Sequence, residues 1–186
     1  MDDDCLARGE PSKKFPRPSR EVGGAGEQSG LEWGKVVERG WATVLMGEYD
    51  HALDDKGRLT VPARFREALG ERFVVTIGLD GCLSGYAMTE WERLTERLKD
   101  LPMTNRDARA FIRLLLAGAT EVELDKQGRI LIPPRLRQAS GIAAEAVLVG
   151  VGSRLEIWAR DRWEAYQESV QESFEETAEK LVDFSL

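Results

Sequence analysis

Residues 47–54 alternate apolar and polar toward Leu53, which predicts a strand. Asp55-Lys56-Gly57 then predicts a turn, with Gly57 free to take positive φ, and Arg58-Leu59-Thr60-Val61 a return strand. Pro62 suits the first position of a short helix, because its missing N–H costs nothing there. In that helix Phe65, Ala68 and Leu69 fall on one inward face, and Gly70 stops it. The run 73–77 predicts a buried strand and 82–87 another, with a Gly-Leu-Asp-Gly turn between them. Thr89 with Glu92 predicts a capping box opening a helix through Leu101. Thr104 then caps a connecting helix striped by Ala108, Phe111, Ile112 and Leu115 and ended by Gly118.

The same order of signals then recurs. Strand 119–125, turn 126–128, strand 129–132, Pro133, a short helix and strands 146–150 and 154–158 follow in turn. Asp161 with Glu164 opens a last helix whose apolar face is Trp163, Tyr166, Val170, Phe174 and Leu181. Trp91 and Trp163, at matching helix starts, read as packing residues. The repetition extends to identities. At an offset of 71, Leu53, Asp54, Gly57, Arg58, Pro62, Arg64 and Arg66 meet Leu124, Asp125, Gly128, Arg129, Pro133, Arg135 and Arg137. Farther on the offset is 72, so the repeated unit runs over roughly 47–94 and 118–166. Two copies are too few for an open solenoid. They suit a pseudo-symmetric α+β domain in which each copy completes the core of the other.

The chain divides accordingly. Residues 1–45 have the composition of a tail or linker and predict either a disordered extension or an over-called start, with Met46 the initiator. Residues 48–91 form the first unit, 92–118 the connecting helices, 119–162 the second unit and 163–186 an acidic amphipathic helix. No apolar run is long enough to span a membrane, and the N-terminus lacks a secretory core. Cys5 and Cys82 stand far apart, which fits a reduced cytosolic protein.

The net charge of −7 at first argues against a polyanionic partner. Seven acids against Lys180 give 164–186 a net −6, which leaves −1 for 1–163. The acidity therefore belongs to the last helix, and the repeats are free to present local basic clusters.

Asp54 and Arg58 bracket Gly57, as Asp125 and Arg129 bracket Gly128. Two readings stand side by side. Each Asp can pair with its own Arg across the turn, or each Arg can project from the tip toward phosphate or a guanine edge. Both can hold, with Asp aiming the Arg. Lys56 and Lys126 add cations to the turns. Arg64, Arg66, Arg135 and Arg137 suit either a solvated helix face or phosphate contact. Catalytic, metal and cofactor signals are absent: His51 is the only histidine, and there is no Cys/His cluster, phosphate loop or nucleophile elbow.

The segments MGEYDHALDDKGRLTVPARFREAL and GATEVELDKQGRILIPPRLRQASGI, with their paired Asp-x-x-x-Arg motifs, resemble the MraZ family of bacterial transcriptional regulators over about 46–186. The resemblance implies two AbrB-like units of swapped-hairpin type in one intertwined β-barrel with flanking helices. It implies closed homo-oligomeric rings that present successive motif loops to double-stranded DNA. It implies binding to repeated promoter boxes upstream of the division and cell-wall gene cluster, the family's own promoter included, with repression and a nucleoid-associated cytoplasmic location. By the same analogy Arg58 and Arg129 are the foremost DNA candidates, supported by the turn lysines. An AbrB-type protein-interaction module, antitoxin-like and without DNA contact, is the other class to weigh. The duplicated unit and the structured tail speak against it.

Overall fold

The computed structural model describes residues 44–171 and 173–181. Most of the expected N-terminal extension and the last few residues lie outside them. The elements run β1 (Leu45–Ala52), β2 (Arg58–Thr60), α1 (Ala63–Leu69), β3 (Arg72–Ile77), β4 (Leu83–Ala87), α2 (Met88–Leu98), α3 (Arg106–Gly118), β5 (Thr120–Glu123), β6 (Arg129–Leu131), α4 (Pro134–Ser140), β7 (Glu145–Gly152), β8 (Arg154–Ala159), α5 (Arg160–Gln171) and α6 (Phe174–Lys180). β1 takes in Leu45, the last residue of the expected extension, and buries it to 3% exposure.

The strands form an antiparallel six-stranded sheet in the order β1-β7-β8-β4-β3-β5, with a separate ribbon β2-β6. Each copy reaches into the other. β1 of the first pairs with β7 of the second, and β5 of the second pairs with β3 of the first. Two pairings join equivalent strands. In the ribbon Leu59 faces its counterpart Ile130, and at the sheet centre β4 meets β8 with Ser84 opposite Glu156. A pseudo-two-fold therefore runs between these pairs.

These pairings close no barrel. β1 and β5 are left as the sheet's two edges, and β2 and β6 bond to each other instead of bridging them. An isolated bridge from Leu53 to Leu59 is the ribbon's link back toward the first strand.

The core lies between the sheet and the ribbon. Leu59, Val61 and Phe65 and their counterparts Ile130, Ile132 and Leu136 are all buried to 1% exposure or less. Tyr49 of β1 meets the Phe65 ring edge-on, with centroids 5.1 Å apart. β3 carries the apolar run Phe73-Val74-Val75 and is covered on both faces. Phe73 and Val75 join the core, while Thr76 on the other face donates to the Leu115 carbonyl of α3 at 2.6 Å.

Several local expectations are corrected. Pro62 and Pro133 stand at the cap before their helices, so α1 begins one residue later than expected and Pro134 is the proline inside α4. α2 begins at Met88 with no side-chain cap, which places Thr89 inside the helix and leaves its capping box unformed. Asn105, not Thr104, caps α3 by accepting from the N–H groups of Asp107 and Ala108. α5 begins at Arg160, so Asp161 sits in its first turn instead of at its cap. The single last helix is two, α5 and α6, with Ser173 at the cap of the second. Of its apolar face, Trp163 and Tyr166 pack tilted against Trp158, while Phe174 is 71% exposed and Leu181 57%.

Because Leu59 lies on the axis where the copies exchange, Leu59→Ala opens a cavity that neither copy fills. It is expected to cost about 2–5 kcal/mol in urea unfolding, with an unchanged denaturant slope.

Candidate nucleic-acid interface

The two turns are built alike, atom for atom. In the first, Asp54 Oδ1 accepts from the backbone N–H of Lys56 at 3.0 Å and of Arg58 at 2.9 Å. Gly57 donates its N–H to the Asp54 carbonyl at 2.8 Å. Asp54 Oδ2 takes Arg58 Nε at 2.7 Å and Nη2 at 2.6 Å. In the second, Asp125 Oδ1 accepts from Gln127 at 2.9 Å and Arg129 at 3.0 Å, and Oδ2 takes Arg129 Nε at 2.9 Å and Nη2 at 2.7 Å. One carboxylate oxygen thus organises the turn backbone and the other anchors the arginine. Gly57 and Gly128 sit at φ of 78° and 73°, in the left-handed region that other residues enter at a cost.

The turns flank the β2-β6 ribbon and touch across it. Arg129 Nη1 donates to Asp54 Oδ2 at 3.4 Å. The ribbon's ladder continues into both turns: Val61 N–H donates to the Gly128 carbonyl at 2.9 Å and Ile132 N–H to the Gly57 carbonyl at 3.1 Å. The exchange that builds the core therefore also sets the two tips side by side.

The expected site residues separate into three groups. Arg58 and Arg129 are part-buried, at 32% and 21% side-chain exposure, and spend Nε and Nη2 on their own aspartates. The local reading of the Asp-Arg pair is therefore realised in both copies. Lys56 and Lys126 are exposed in the turns, and Arg64 is exposed on α1. Arg135, also exposed, donates to the Ala117 carbonyl at 3.1 Å, where a cation complements the C-terminal end of α3.

Arg66 and Arg137 belong to the tips as well, which their place beside Arg64 and Arg135 did not reveal. Each is half-buried and crosses to the turn of the other copy. A Cβ on Gly57 would lie 2.8 Å from Arg137 Cζ, and one on Gly128 would lie 2.8 Å from Arg66 Cζ. The glycines are thus required twice, for φ and for the guanidinium resting on them. The duplication of these arginines is legible in the sequence, but their crossing is not, because it depends on the exchange.

Among the described residues no group of three or more His, Cys, Asp or Glu side chains could hold a metal ion. None of the described helices is long and apolar enough to cross a membrane. His51 lies half-buried on β1 opposite Ala146. Cys82 is buried, and burial pushes its thiol up to about 12.

The arginine side chains, and then their backbone N–H groups, hold the carboxyls of Asp54 and Asp125 down to about 2. A carboxylate lowered in the folded state stabilises it above the unfolded value, near 4, and that contribution is lost as pH falls through about 2. Urea unfolding from pH 7 to pH 2 is expected to show stability falling below about pH 4. In Asp54→Asn/Asp125→Asn stability should be lower at neutral pH and that acid-side fall smaller.

Comparison with known proteins is consistent with this architecture. The family model described as "MraZ protein, putative antitoxin-like" matches twice in tandem, over residues 44–114 and 115–185. A protein of Pelotomaculum thermopropionicum named transcriptional regulator MraZ is 57% identical over 143 residues, covering 77% of this chain and 99% of its own. Proteins of the same name from Heliobacterium modesticaldum and Caldanaerobacter subterraneus are 57% and 53% identical, each over 77% of this chain and the whole of its own. A double match spread over both copies, with relatives at this identity along their full lengths, establishes that the chain belongs to the MraZ family, whose matched relatives are named as transcriptional regulators and not as enzymes.

Proposed function

We propose that this chain is a sequence-specific DNA-binding regulator of transcription that meets the duplex with its two turn tips. The observation that carries the reading is the juxtaposition of the turns, which share the Arg129–Asp54 bond across the ribbon. Two matched basic turns held at a fixed separation are a device for repeated contact with a regular polymer. Lys56 and Lys126 are the exposed cations of the tips, with Arg64 nearby on α1. Arg58 and Arg129 act chiefly by holding each turn in shape and add whatever donor capacity their aspartates leave. Arg135 contributes through its grip on α3. The relatives' name supports a role in transcription.

In this reading the targets are repeated boxes in the promoter of the division and cell-wall gene cluster, including the protein's own, and the effect is repression at the nucleoid in the cytoplasm. One pair of tips offers few contacts. A closed ring of copies repeats them, and linked weak contacts gain strength through effective concentration. The exposed Val170 and Phe174 share a face at the junction of α5 and α6 that such an assembly would cover.

The same face favours a second reading, a module that binds another protein, in keeping with the antitoxin-like wording of the family description. Crosslinking separates the two: enrichment of promoter DNA supports the first, and a retained protein partner without DNA supports the second.

Arg58→Ala/Arg129→Ala removes the anchor of both turns. In a mobility-shift assay at fixed salt on the protein's own upstream region, affinity is expected to fall about tenfold or more. Parent-like binding by this variant would contradict the role given to Arg58 and Arg129.

A further inference from the structure

We infer that Arg66 and Arg137 are the principal phosphate-contacting cations of the tips, each serving the turn of the opposite copy. The inference rests on the DNA reading above and assigns within it a role that the Asp-x-x-x-Arg motifs do not carry. Arg58 and Arg129 already have counter-ions: two nitrogens of each are bonded to their own aspartate, and a third nitrogen of Arg129 reaches Asp54. Their charge is cancelled pair by pair.

Arg66 and Arg137 differ in each respect. Among the described residues neither guanidinium has an ion-pair partner, and the Nε of each is buried with no hydrogen bond. The enclosed Nε lies out of reach of an incoming anion, so the donors a phosphate oxygen can meet are the terminal nitrogens, which water serves in the free protein. The same condition occurs at both sites, 71 residues apart, so it is a property of the repeat.

The surroundings specify the acceptor. Each guanidinium rests on a glycine, with no side chain between it and the turn backbone, so the turn fixes its position. A planar fork of N–H donors matches two phosphate oxygens. The charge balance agrees. In the first turn Asp54 cancels Arg58 and Asp55 cancels Lys56, so Arg137 supplies the net positive charge. In the second, Asp125 cancels Arg129, leaving Lys126 and Arg66 in a hollow that Glu67, Glu71 and Glu123 also line. Each tip is thus composite: the turn comes from one copy and its uncommitted arginine from the other. One copy alone would present a turn of little net charge.

The test compares the parent, Arg66→Gln/Arg137→Gln and Arg66→Lys/Arg137→Lys. Binding is measured against salt on two duplexes, one from the protein's own upstream region and one of scrambled sequence. Because phosphates carry no sequence, the Gln variant is expected to lose about tenfold or more on both duplexes by a similar factor, and its log–log salt slope to shrink by roughly two. The Lys variant should keep the parent's slope. Parent-like affinity and slope in the Gln variant would overturn the inference while leaving the DNA reading standing. So would a loss confined to the upstream duplex at unchanged slope. A parent that binds neither duplex overturns both. In case the Gln variant does not fold, arginine labelling of the parent by phenylglyoxal decides independently. DNA should protect Arg66 and Arg137 more than Arg58 and Arg129, and equal or absent protection contradicts the assignment.

Discussion

Neither copy of the repeat can satisfy the backbone of its own first strand, and the rest of the structure depends on that. β1 has its ladder on β7 and β5 has its ladder on β3, so the sheet exists only when the copies exchange. Each first strand thus draws its whole ladder from the other copy, and the six-stranded sheet is built by that exchange. It explains why two copies occur in one chain: covalent linkage supplies each with its partner. It also explains why Leu59 and Ile130, on the pseudo-two-fold, are completely buried in strands only three residues long.

The turns inherit this geometry. Here the ribbon pairs β2 with β6, and the backbone bonds from Val61 to Gly128 and from Ile132 to Gly57 draw the turns together. The Asp-Arg forks then stiffen each tip, and the α1 and α4 arginines cross over the glycines. Acidic residues crowd the end of the chain instead, which reconciles a negative protein with the polyanionic partner proposed for it.

What was legible in the sequence was what is local. Gly57 and Gly128 announce their turns because few other residues enter positive φ, and Phe65 and Leu69 announce a helix face by spacing. What was not legible depends on partners remote in the chain. Alternation along 47–54 shows that a strand forms but cannot name β7 as its neighbour; the closed barrel that the family resemblance implies is not formed, because the pairing leaves β1 and β5 as edges. Arg66 was indistinguishable from Arg64 as one more helix cation, since only the exchange carries it to Gly128. Near-equivalent residues also blurred the caps: Thr104 and Asn105 are both good caps, and Asn105 has its carbonyl oxygen placed to accept two N–H groups. The motif arginines are taken up by their own aspartates, which leaves Arg66 and Arg137 as cations without such a partner among the described residues.

The central claim is that the paired tips meet duplex DNA at defined places. Footprinting of the intact protein on its own upstream region tests this most directly. Discrete, regularly spaced protected boxes are the result this account predicts. Absence of protection, or uniform protection along the fragment without boxes, would contradict it.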